Sequence, residues 1–423
     1  MSSLLLKNAV PCGKDHPCDI MIEEGFITAV EKAGTAEFSA DRTIDCEGMT
    51  AFPGLFDMHV HFRDPGYTYK EDIFTGAAAA LAGGVTGVVC MPNTNPVIDN
   101  AGVVSYIMDK ARDTGLKIYP AACISAGMHG GELTDFDELR KAGVKVISDD
   151  GRPVKNAELM RQALEKSGGY DLLCASHCED LDIIKGGIIN KGKASEALGV
   201  NGMDRASEDS ITAREIMLAA SCDARIHICH VSTKGSMGII RAAKQMGIKV
   251  TCETCPHYFM YTDDKVMTRD ADYRMNPPLR TPDDIKAVLD GVLDGTVDCI
   301  VTDHAPHAAE EKADFEKAPN GVVGLETSLA AALTVLHHEK GVSLEKIAEL
   351  MAVNPRKLLG IEQVFIGAGS RADICIADIN REWTVDPEKL HSKSKNTVFK
   401  GEHFRGKVMY TISDGVIRYT CED

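Results

Sequence analysis

The middle of the chain alternates short apolar runs of β type with amphipathic segments of helical period. The apolar runs predict eight strands, at residues 50–61, 87–92, 117–124, 145–149, 171–177, 225–231, 249–254 and 298–304. The segments after them predict helices at residues 72–82, 102–114, 135–142, 156–167, 204–220, 236–246, 282–293 and 325–338. Each predicted strand is therefore followed by a predicted helix, which is typical of a sheet of parallel strands.

Eight strand–helix units favour a closed barrel over an open doubly wound sheet. An open sheet usually has fewer strands and carries a glycine-rich phosphate-binding motif. We therefore predict an α/β fold with a (β/α)8 barrel of the TIM type over residues 53–360, which ends in helix-like segments at 343–351 and 354–359.

Both ends of the chain lack this alternation and hold short β-like runs instead. These runs lie at residues 4–10, 19–23, 26–31 and 43–45, and again at 373–377, 397–400, 407–412 and 416–419. Two small separate sheets would each be marginally stable. We therefore predict that residues 1–52 and 361–423 pack together as one small β-sandwich domain beside the barrel.

The charge balance excludes several classes of partner. The formal net charge is −17, and no face dense in Lys and Arg is visible. Such a chain is a poor match for nucleic acid or an anionic membrane, so a small-molecule substrate is the expected partner. The apolar run at the N-terminus is too short for the core of a signal peptide, and no stretch of about 18 apolar residues follows it. These features predict a soluble cytoplasmic protein.

Fourteen cysteines are scattered singly through the chain, mostly within apolar runs. This distribution is typical of buried free thiols in a reducing compartment. One close pair, Cys252 and Cys255, has no second CxxC to complete a zinc ribbon.

Side chains that bind metal ions stand at the ends of five predicted strands. They are His59 and His61 at the end of strand one, Asp149 and Asp150 at the end of strand four, His177 at the end of strand five, His230 at the end of strand six, and Asp303 and His304 at the end of strand eight. The carboxyl ends of barrel strands converge on one mouth, where barrel enzymes carry their catalytic groups. With one aspartate taken from Asp149 and Asp150 and with His304 left aside, four histidines and two carboxylates exceed what one catalytic zinc needs, and they suit two metal ions that share a bridging carboxylate.

Several of these residues have more than one possible role. An HxH pair alone also fits two half-exposed strand histidines, although alternation does point His59 and His61 to one face. His227 lies in mid-strand, so we prefer His230 as the ligand. Either His304 or His307 could meet the substrate. Asp303 is the best candidate for a proton shuttle, because a carboxylate beside a metal-bound hydroxide can pass a proton to a leaving nitrogen.

The strand ends lie within longer motifs. These read GLFDMHVHFRDPG (54–66), MPNT (91–94), SDDG (148–151), HCE (177–179), HVST (230–233), MNPPLR (275–280), TDHAPH (302–307) and GVVGLET (321–327). As a set they resemble the dihydroorotase family, from about residue 53 to 359, and GSRADICIAD (369–378) resembles that family's return to its β-domain. HxH and TDHAPH alone would indicate only the wider superfamily of cyclic amidohydrolases.

This resemblance implies a metal-dependent enzyme of pyrimidine (UMP) biosynthesis that interconverts N-carbamoyl-L-aspartate and L-dihydroorotate. It implies a homodimer with two Zn²⁺ ions per subunit, a metal-bridging hydroxide as nucleophile and Asp303 as proton shuttle. Carried over by position, one ion would be held by His59, His61 and Asp303, and the other by His177 and His230, with Asp150 as the bridge. The substrate would be bound by Arg63, Asn93, Asn276, His307, Asn320 and Gly321. Arg63 offers a bidentate fork to a carboxylate, beside the neutral donor Asn93.

Three points stay open at this stage. Many amidohydrolases bridge their metals with a carboxylated lysine, and Lys145 lies on predicted strand four, although SDDG, close to the family's TDDG, favours Asp150. The segment 307–320 is a candidate lid. A hydantoinase, dihydropyrimidinase or allantoinase would share the metal ligands without needing Arg63, and a non-catalytic homologue would be expected to lack several of them.

Overall fold

Eighteen strands make up the β structure of the protein, which we describe for residues 3–422 from a computed structural model. In chain order they are β1 (Leu4–Pro11), β2 (Cys18–Glu23), β3 (Phe26–Lys32), β4 (Arg42–Asp45), β5 (Thr50–Pro53), β6 (Leu55–Val60), β7 (Val85–Cys90), β8 (Lys117–Pro120), β9 (Val146–Ile147), β10 (Leu173–Ser176), β11 (Ile189–Asn190), β12 (Gly202–Met203), β13 (Ile226–Ile228), β14 (Val250–Thr254), β15 (Cys299–Ile300), β16 (Ile374–Thr384), β17 (His403–Ser413) and β18 (Val416–Thr420).

Thirteen α-helices accompany the strands in residues 3–422. They are α1 (Ile73–Ala82), α2 (Ala101–Ala111), α3 (Phe136–Lys141), α4 (Ala157–Gly169), α5 (Leu181–Ile184), α6 (Lys193–Leu198), α7 (Ala206–Ser221), α8 (Lys234–Gln245), α9 (His257–Met260), α10 (Pro282–Leu293), α11 (Ser328–Ala332), α12 (Leu344–Ala348) and α13 (Asn354–Leu359). Short 3₁₀ turns lie at Ala126–Met128, Asp263–Thr268, Ala271–Tyr273 and Pro387–Lys389, and π-helical turns at Leu333–Glu339 and Glu349–Val353. Within the described part of the chain, no helix has the length and apolar character to span a bilayer.

Eight parallel strands close into the predicted barrel. β6, β7 and β8 form one parallel sheet, and β9, β10, β13, β14 and β15 form another. Two parallel bridges join these sheets, one between Ala122 and Ile147 and one between Val60 and His304. Each barrel strand overlaps one of the eight apolar runs, so the prediction of a (β/α)8 barrel is confirmed.

The first of those runs, residues 50–61, is not one strand as predicted. It divides at Gly54 into β5, which belongs to the terminal sheet, and β6, which belongs to the barrel. The amide of Gly54 donates to the carbonyl of Asp373 at 2.8 Å, and a Cβ at this position would collide with Thr86. Glycine therefore allows the chain to pass closely from one domain into the other.

The two ends of the chain combine in one β-sandwich, as predicted. Its strands run in the order β18-β17-β16-β5-β1-β2-β3, with β4 beside β1. Strands from both ends supply its buried core, which includes Leu6, Ile20, Ile22, Ile27, Ile374, Ile376 and Ile412. The domain boundaries at residues 52 and 360 stay a prediction. The strand expected at 397–400 is wrong, because Thr397, Val398 and Phe399 are buried in a non-strand segment.

The pattern analysis also missed elements in the loops beyond the barrel mouth. The connection after β10 carries α5, β11, α6 and β12, and the connection after β14 carries α9 and two 3₁₀ turns. Apolar side chains from these loops form a small separate cluster, made of Ile189, Ala194, Val266, Ala271, Phe315 and Ala318. These elements are too short to show a helical period in the sequence.

The cysteine prediction is confirmed. All fourteen cysteines are free and eleven of them are buried, including Cys252 and Cys255 of the CxxC pair.

Candidate metal centre and active site

The six residues predicted as metal ligands meet at the carboxyl end of the barrel. They are His59 and His61 from β6 and its end, Asp150 from the loop after β9, His177 from the end of β10, His230 from the loop after β13, and Asp303 from the loop after β15. Asp150 lies between the histidine pairs: its Oδ2 is 3.4 Å from His61 Nε2, and its Oδ1 is 3.5 Å from both His59 Nε2 and His177 Nδ1. His230 Nε2 completes the ring, 3.7 Å from Asp150 Oδ1.

Two groups of three potential ligands therefore share one carboxylate. His59, His61 and Asp150 form the first group, and Asp150, His177 and His230 form the second. Within each group the ligand atoms lie within 4.8 Å of one another, and all five residues are buried. Imidazole and carboxylate ligands in this arrangement fit two adjacent divalent ions such as zinc.

Unpaired buried atoms and shifted pKa values among these residues support a site for two divalent ions. His59 Nε2 and Asp150 Oδ1 are buried without a hydrogen-bond partner among residues 3–422, which is costly for polar atoms unless a ligand satisfies them. Burial lowers the pKa of His59, but Asp150 and Glu253 more than offset it and hold the pKa well above its ordinary value. Burial also opposes protonation of His177, yet Asp150 and Glu179 raise its pKa to about 10. The local potential is therefore negative and attracts cations.

Asp303 stands beside the first group. Its Oδ1 is 3.1 Å from His61 Nε2 and 3.8 Å from His59 Nε2. Burial raises the pKa of Asp303, but the hydrogen bond with His61 and the nearby His59 hold it below its ordinary value. The residue adopts φ of +48°, and its neighbour Thr302 is anchored through its amide and hydroxyl to Asp57, on the same strand as the HxH pair. Asp57 thus aligns β6 with the loop that carries Asp303.

Asp149, Asp150 and Lys145, the three strand-four candidates for the metal bridge, have different surroundings in the structure. Asp149 is occupied by the backbone, because its Oδ1 accepts hydrogen bonds from the amides of Ile124 at 2.8 Å and Ser125 at 3.1 Å. Lys145 directly precedes β9, on the amino-terminal side of this strand, whereas Asp150 follows β9 on the carboxyl-terminal side, where the barrel mouth lies. Asp150 is the residue of this strand that lies among the histidines.

Glu253 is a residue of the site that the sequence analysis missed, and it contacts His227, which that analysis set aside in favour of His230. Glu253 Oε1 is 2.6 Å from His59 Nδ1, and its Oε2 is 3.1 Å from His227 Nε2. His227 Nδ1 lies 2.8 Å from Thr251 Oγ1. When His59 donates its Nδ1–H to Glu253, its Nε2 keeps a free lone pair directed at Asp150, which is the form that binds a metal. The available signal was that Glu253 is the single charged residue of strand β14.

Replacing Glu253 by glutamine is expected to weaken metal binding by about 10–100-fold, the usual effect of losing a carboxylate that orients a metal-binding histidine. The amide of the new side chain would present an N–H group to either His59 or His227. Competition with a chelator measures the change, and Glu165→Gln, on the exposed surface of α4, is the matched control. Wild-type affinity in Glu253→Gln would contradict this role.

The cationic side chains of Arg63 and Lys70 flank His307 beside the metal-ligand candidates, and we call this cluster the cationic pocket. Arg63, with φ of +60°, donates from Nε to the carbonyl of Pro306 at 3.2 Å, and its Nη2 lies 3.4 Å from His307 Nε2. Burial and the charges of Arg63, Lys70 and Lys312 lower the pKa of His307 to about 2, so its ring is neutral. His307 Nε2 donates to the carbonyl of Asn320 at 2.9 Å. Such a pocket suits a carboxylate ligand.

Each of the two asparagines predicted to bind the substrate lies beside a histidine of the site. Asn93 Oδ1 accepts a hydrogen bond from His61 Nδ1 at 2.8 Å, which leaves His61 Nε2 directed at Asp150 and Asp303. Asn276 Nδ2 donates to Glu179 Oε1 at 2.8 Å and lies 3.3 Å from His177 Nε2. Both side chains therefore contact a histidine of the site.

The segment 307–320 is anchored to its surroundings. Lys312 Nζ donates to the carbonyls of Arg274, Pro319 and Gly321 at 3.0–3.2 Å, and Phe315 packs into the small apolar cluster. Asn320 Oδ1 accepts from Arg274 Nη2 at 3.1 Å. Gly321 has φ of +143°, and a Cβ there would lie 2.9 Å from His307 Nε2, so this close approach requires glycine. Opening of the segment as a lid stays a prediction.

Comparisons with known proteins agree with this site. A family model described as dihydro-orotase-like matches residues 48–236. The dihydroorotase of Geobacter metallireducens is 49% identical over 410 residues, 96% of each chain, and that of Acetivibrio thermocellus is 48% identical over 399 residues, 94% of this chain and 93% of its own.

Solved structures agree in fold. The L-hydantoinase (dihydropyrimidinase) of Arthrobacter aurescens has a TM-score of 0.87 at 25% identity and covers 99% of this chain and 96% of its own. The dihydropyrimidinase of Brevibacillus agri has a TM-score of 0.86 at 22% identity, over 98% and 94% of the two chains. Given relatives that are almost half identical over nearly its whole length, the chain belongs to the dihydroorotase family of the amidohydrolase superfamily.

Proposed function

We propose that this protein is a dihydroorotase, a cyclic-amide hydrolase that interconverts L-dihydroorotate plus water and N-carbamoyl-L-aspartate. The observation that carries the proposal is the meeting of two potential metal-ligand groups with a cationic pocket at one barrel mouth. Metal ions held by the two ligand groups would activate water and a ring amide, and the cationic pocket can hold the free carboxylate of this substrate. Relatives that bear the name dihydroorotase, at 44–49% identity, support it.

We further propose a cytoplasmic homodimer that binds two Zn²⁺ ions per subunit and works in pyrimidine biosynthesis. His59, His61 and Asp303 would hold one ion, His177 and His230 the other, and Asp150 would bridge them. Bound ions supply Lewis acidity, which lowers the pKa of water and polarises the ring carbonyl. The imidazole and carboxylate donors, and the negative potential they create, support this choice of cofactor.

Asp303 is the proposed acid–base group. Its carboxylate is ionised, because its pKa lies below the ordinary value. In ring opening it accepts a proton from the attacking water as the C–O bond forms, and it returns that proton to the ring nitrogen as the C–N bond breaks. In ring closure the same proton moves in the opposite direction and water leaves.

The substrate is oriented by the polar groups around the metal-ligand candidates. Arg63, Asn93 and the neutral His307 would bind the carboxylate, with Asn320 and Gly321 completing this side of the pocket. Asn276 would serve the ring amide, because a carboxamide both donates and accepts hydrogen bonds. Fixing both ends of the ring holds its carbonyl in place for attack.

Replacing Arg63 by alanine is expected to raise KM for L-dihydroorotate by about 10–100-fold, since a charge-assisted contact is worth about 1.5–3 kcal/mol. The KM of Arg63→Lys should lie between those of the wild type and the alanine variant, because an ammonium group keeps the charge but lacks the planar fork of the guanidinium. Steady-state kinetics and metal content are the measurements, with Arg112→Ala on the exposed end of α2 as control. An unchanged KM together with lost metal would show that Arg63 serves the metal site.

One assay distinguishes the proposed function from its rivals. The purified protein, with its metal content measured, is given L-dihydroorotate, hydantoin, dihydrouracil and allantoin at equal concentration. We expect kcat/KM for dihydroorotate to exceed the others by at least about 100-fold, because only this substrate offers a carboxylate to Arg63. Preferred turnover of hydantoin, dihydrouracil or allantoin would contradict the proposal and indicate a hydantoinase, a dihydropyrimidinase or an allantoinase. Turnover of none of the four compounds would indicate a non-catalytic homologue.

A further inference from the structure

The chain between β16 and β17 leaves the β-sandwich and returns to the mouth of the barrel. We name residues 390–399 the mouth strap. Alternate polar side chains of this segment are buried: Ser392 is 1% exposed, Ser394 5% and Asn396 4%. Buried polar groups need partners, and here those partners lie on two loops of the active site.

Asn396 binds the loop that carries His307. Its Oδ1 accepts a hydrogen bond from the amide of His307 at 3.2 Å, and its Nδ2 donates to the carbonyl of Gly321 at 3.0 Å. Its own carbonyl accepts from the amide of Val323 at 3.0 Å. One residue thus joins the beginning and the end of the loop 307–323, which forms one wall of the cationic pocket.

The preceding residues of the mouth strap bind the loop that follows Arg63. Ser394 Oγ donates to the carbonyl of Lys70 at 2.6 Å. The hydroxyl of Ser392 and the amide of Lys393 both donate to the carboxylate of Glu71, which is fully buried. The opposite wall of the pocket, with Arg63 and Lys70, is therefore attached to the same short segment.

Glu71 extends these contacts toward the reaction centre. Its Oε2 lies 3.4 Å from Nε2 of His304, the residue after Asp303. His304 Nδ1 accepts from the amide of Gly324 at 3.3 Å, so His304 belongs to this support and is not one of the metal-ligand candidates. The mouth strap, Glu71 and His304 form one buried network between the two walls.

We propose that Asn396 is a positioning residue for recognition of the substrate carboxylate, and that the mouth strap sets the separation of Arg63 from His307. This rests on the proposed function, in which those two side chains bind the carboxylate. A carboxamide suits the position because it accepts from one backbone group and donates to another. Leucine has a similar size but can form neither hydrogen bond. Aspartate could still accept from the amide of His307, but its second oxygen would face the carbonyl oxygen of Gly321 and repel it.

The test compares Asn396→Leu and Asn396→Asp with the same changes at Asn380, which is exposed on β16. In both variants at 396 we expect KM for L-dihydroorotate to rise by about 10-fold, with kcat within about threefold and metal content unchanged, because the contacts act on binding. The variants at 380 should match the wild type. An increase in the aspartate variant alone would be an effect of charge and would overturn the proposal, as would an unchanged KM in both.

Hydrogen exchange supplies a measurement that does not depend on turnover. In Asn396→Leu the amides of 305–323 should exchange faster, while the strands of the barrel keep wild-type rates. A uniform rise across the barrel, with kcat and thermal stability falling together, would indicate a general structural role and overturn the proposal. Should the leucine variant not fold, Ser394→Ala removes one contact of the mouth strap with the other wall and is judged by the same two measurements.

Failure of the proposed function is distinguishable from failure of this inference. A folded, metal-loaded wild type that does not turn over dihydroorotate would refute the function. The exchange comparison would then decide the positioning of the loop by itself: wild-type exchange of 305–323 in Asn396→Leu would overturn it, and faster exchange confined to that loop would support it.

Discussion

Replacement of Asp303 by asparagine is expected to lower the rate of dihydroorotate ring opening by about 10²–10⁴-fold, the usual contribution of a positioned acid–base group. Asparagine keeps the shape of the side chain and an oxygen near His61 Nε2, but it cannot accept the proton of the attacking water. Because the barrel and the other five ligand candidates are untouched, the variant should fold and retain metal.

The measurements are single-turnover rates in both directions, metal content and thermal stability. Ring closure should fall by the same factor as ring opening, because one group transfers the proton in both directions. Asp223→Asn, at an exposed turn between α7 and β13, is the matched control. Turnover within tenfold of the wild type in a metal-loaded Asp303→Asn enzyme would exclude the shuttle role.

Replacement of Asp150 by alanine is expected to abolish activity and to release metal from both groups of ligands. This carboxylate lies within 3.7 Å of all four histidines, so its loss removes a ligand from each group and leaves the imidazoles without a counter-charge. Metal ions supply several kcal/mol of transition-state stabilisation, so we expect kcat to fall by more than about 10³-fold. Metal analysis after gel filtration, together with kinetics at saturating zinc, measures both effects.

Lys145→Met is the informative companion to this variant. If Asp150 is the bridge, Lys145→Met should keep its metal and its activity, and adding bicarbonate to either enzyme should change nothing. Loss of metal in Lys145→Met, or activation of the wild type by bicarbonate, would instead assign the bridge to a carboxylated lysine.

Much of the fold was predictable because the barrel strands are nearly uniform apolar runs. Their carboxyl ends converge, so ligand candidates at Asp150, His177 and His230 could be placed together from order along the chain alone. What could not be predicted depends on neighbours across the sheet. The choice between Asp149 and Asp150 rests on two backbone amides of an adjacent loop, and the role of Glu253 rests on its contact with His59 on a distant strand.

The errors at the ends of the chain have different causes. Residues 397–400 have β-forming side chains, but burial against the barrel mouth overrides that local preference. The run 50–61 reads as one strand because apolar residues continue on both sides of Pro53 and Gly54, although a Pro-Gly pair is a common turn signal. Tertiary contacts thus override the local pattern at 397–400, whereas at Gly54 a local signal marked the point where the chain passes between two sheets.

The mouth strap also affects the order in which the site is completed during synthesis. Ser392 contacts Glu71 across 321 positions of the chain, so a segment that leaves the ribosome late closes a pocket whose first residues appeared early. At roughly 5–20 residues per second, the barrel with all its ligand candidates emerges a few seconds before the mouth strap. A chain cut short by a premature stop codon between residues 360 and 390 would therefore keep every metal-ligand candidate in its sequence and lack the contacts that the mouth strap makes with both walls of the pocket.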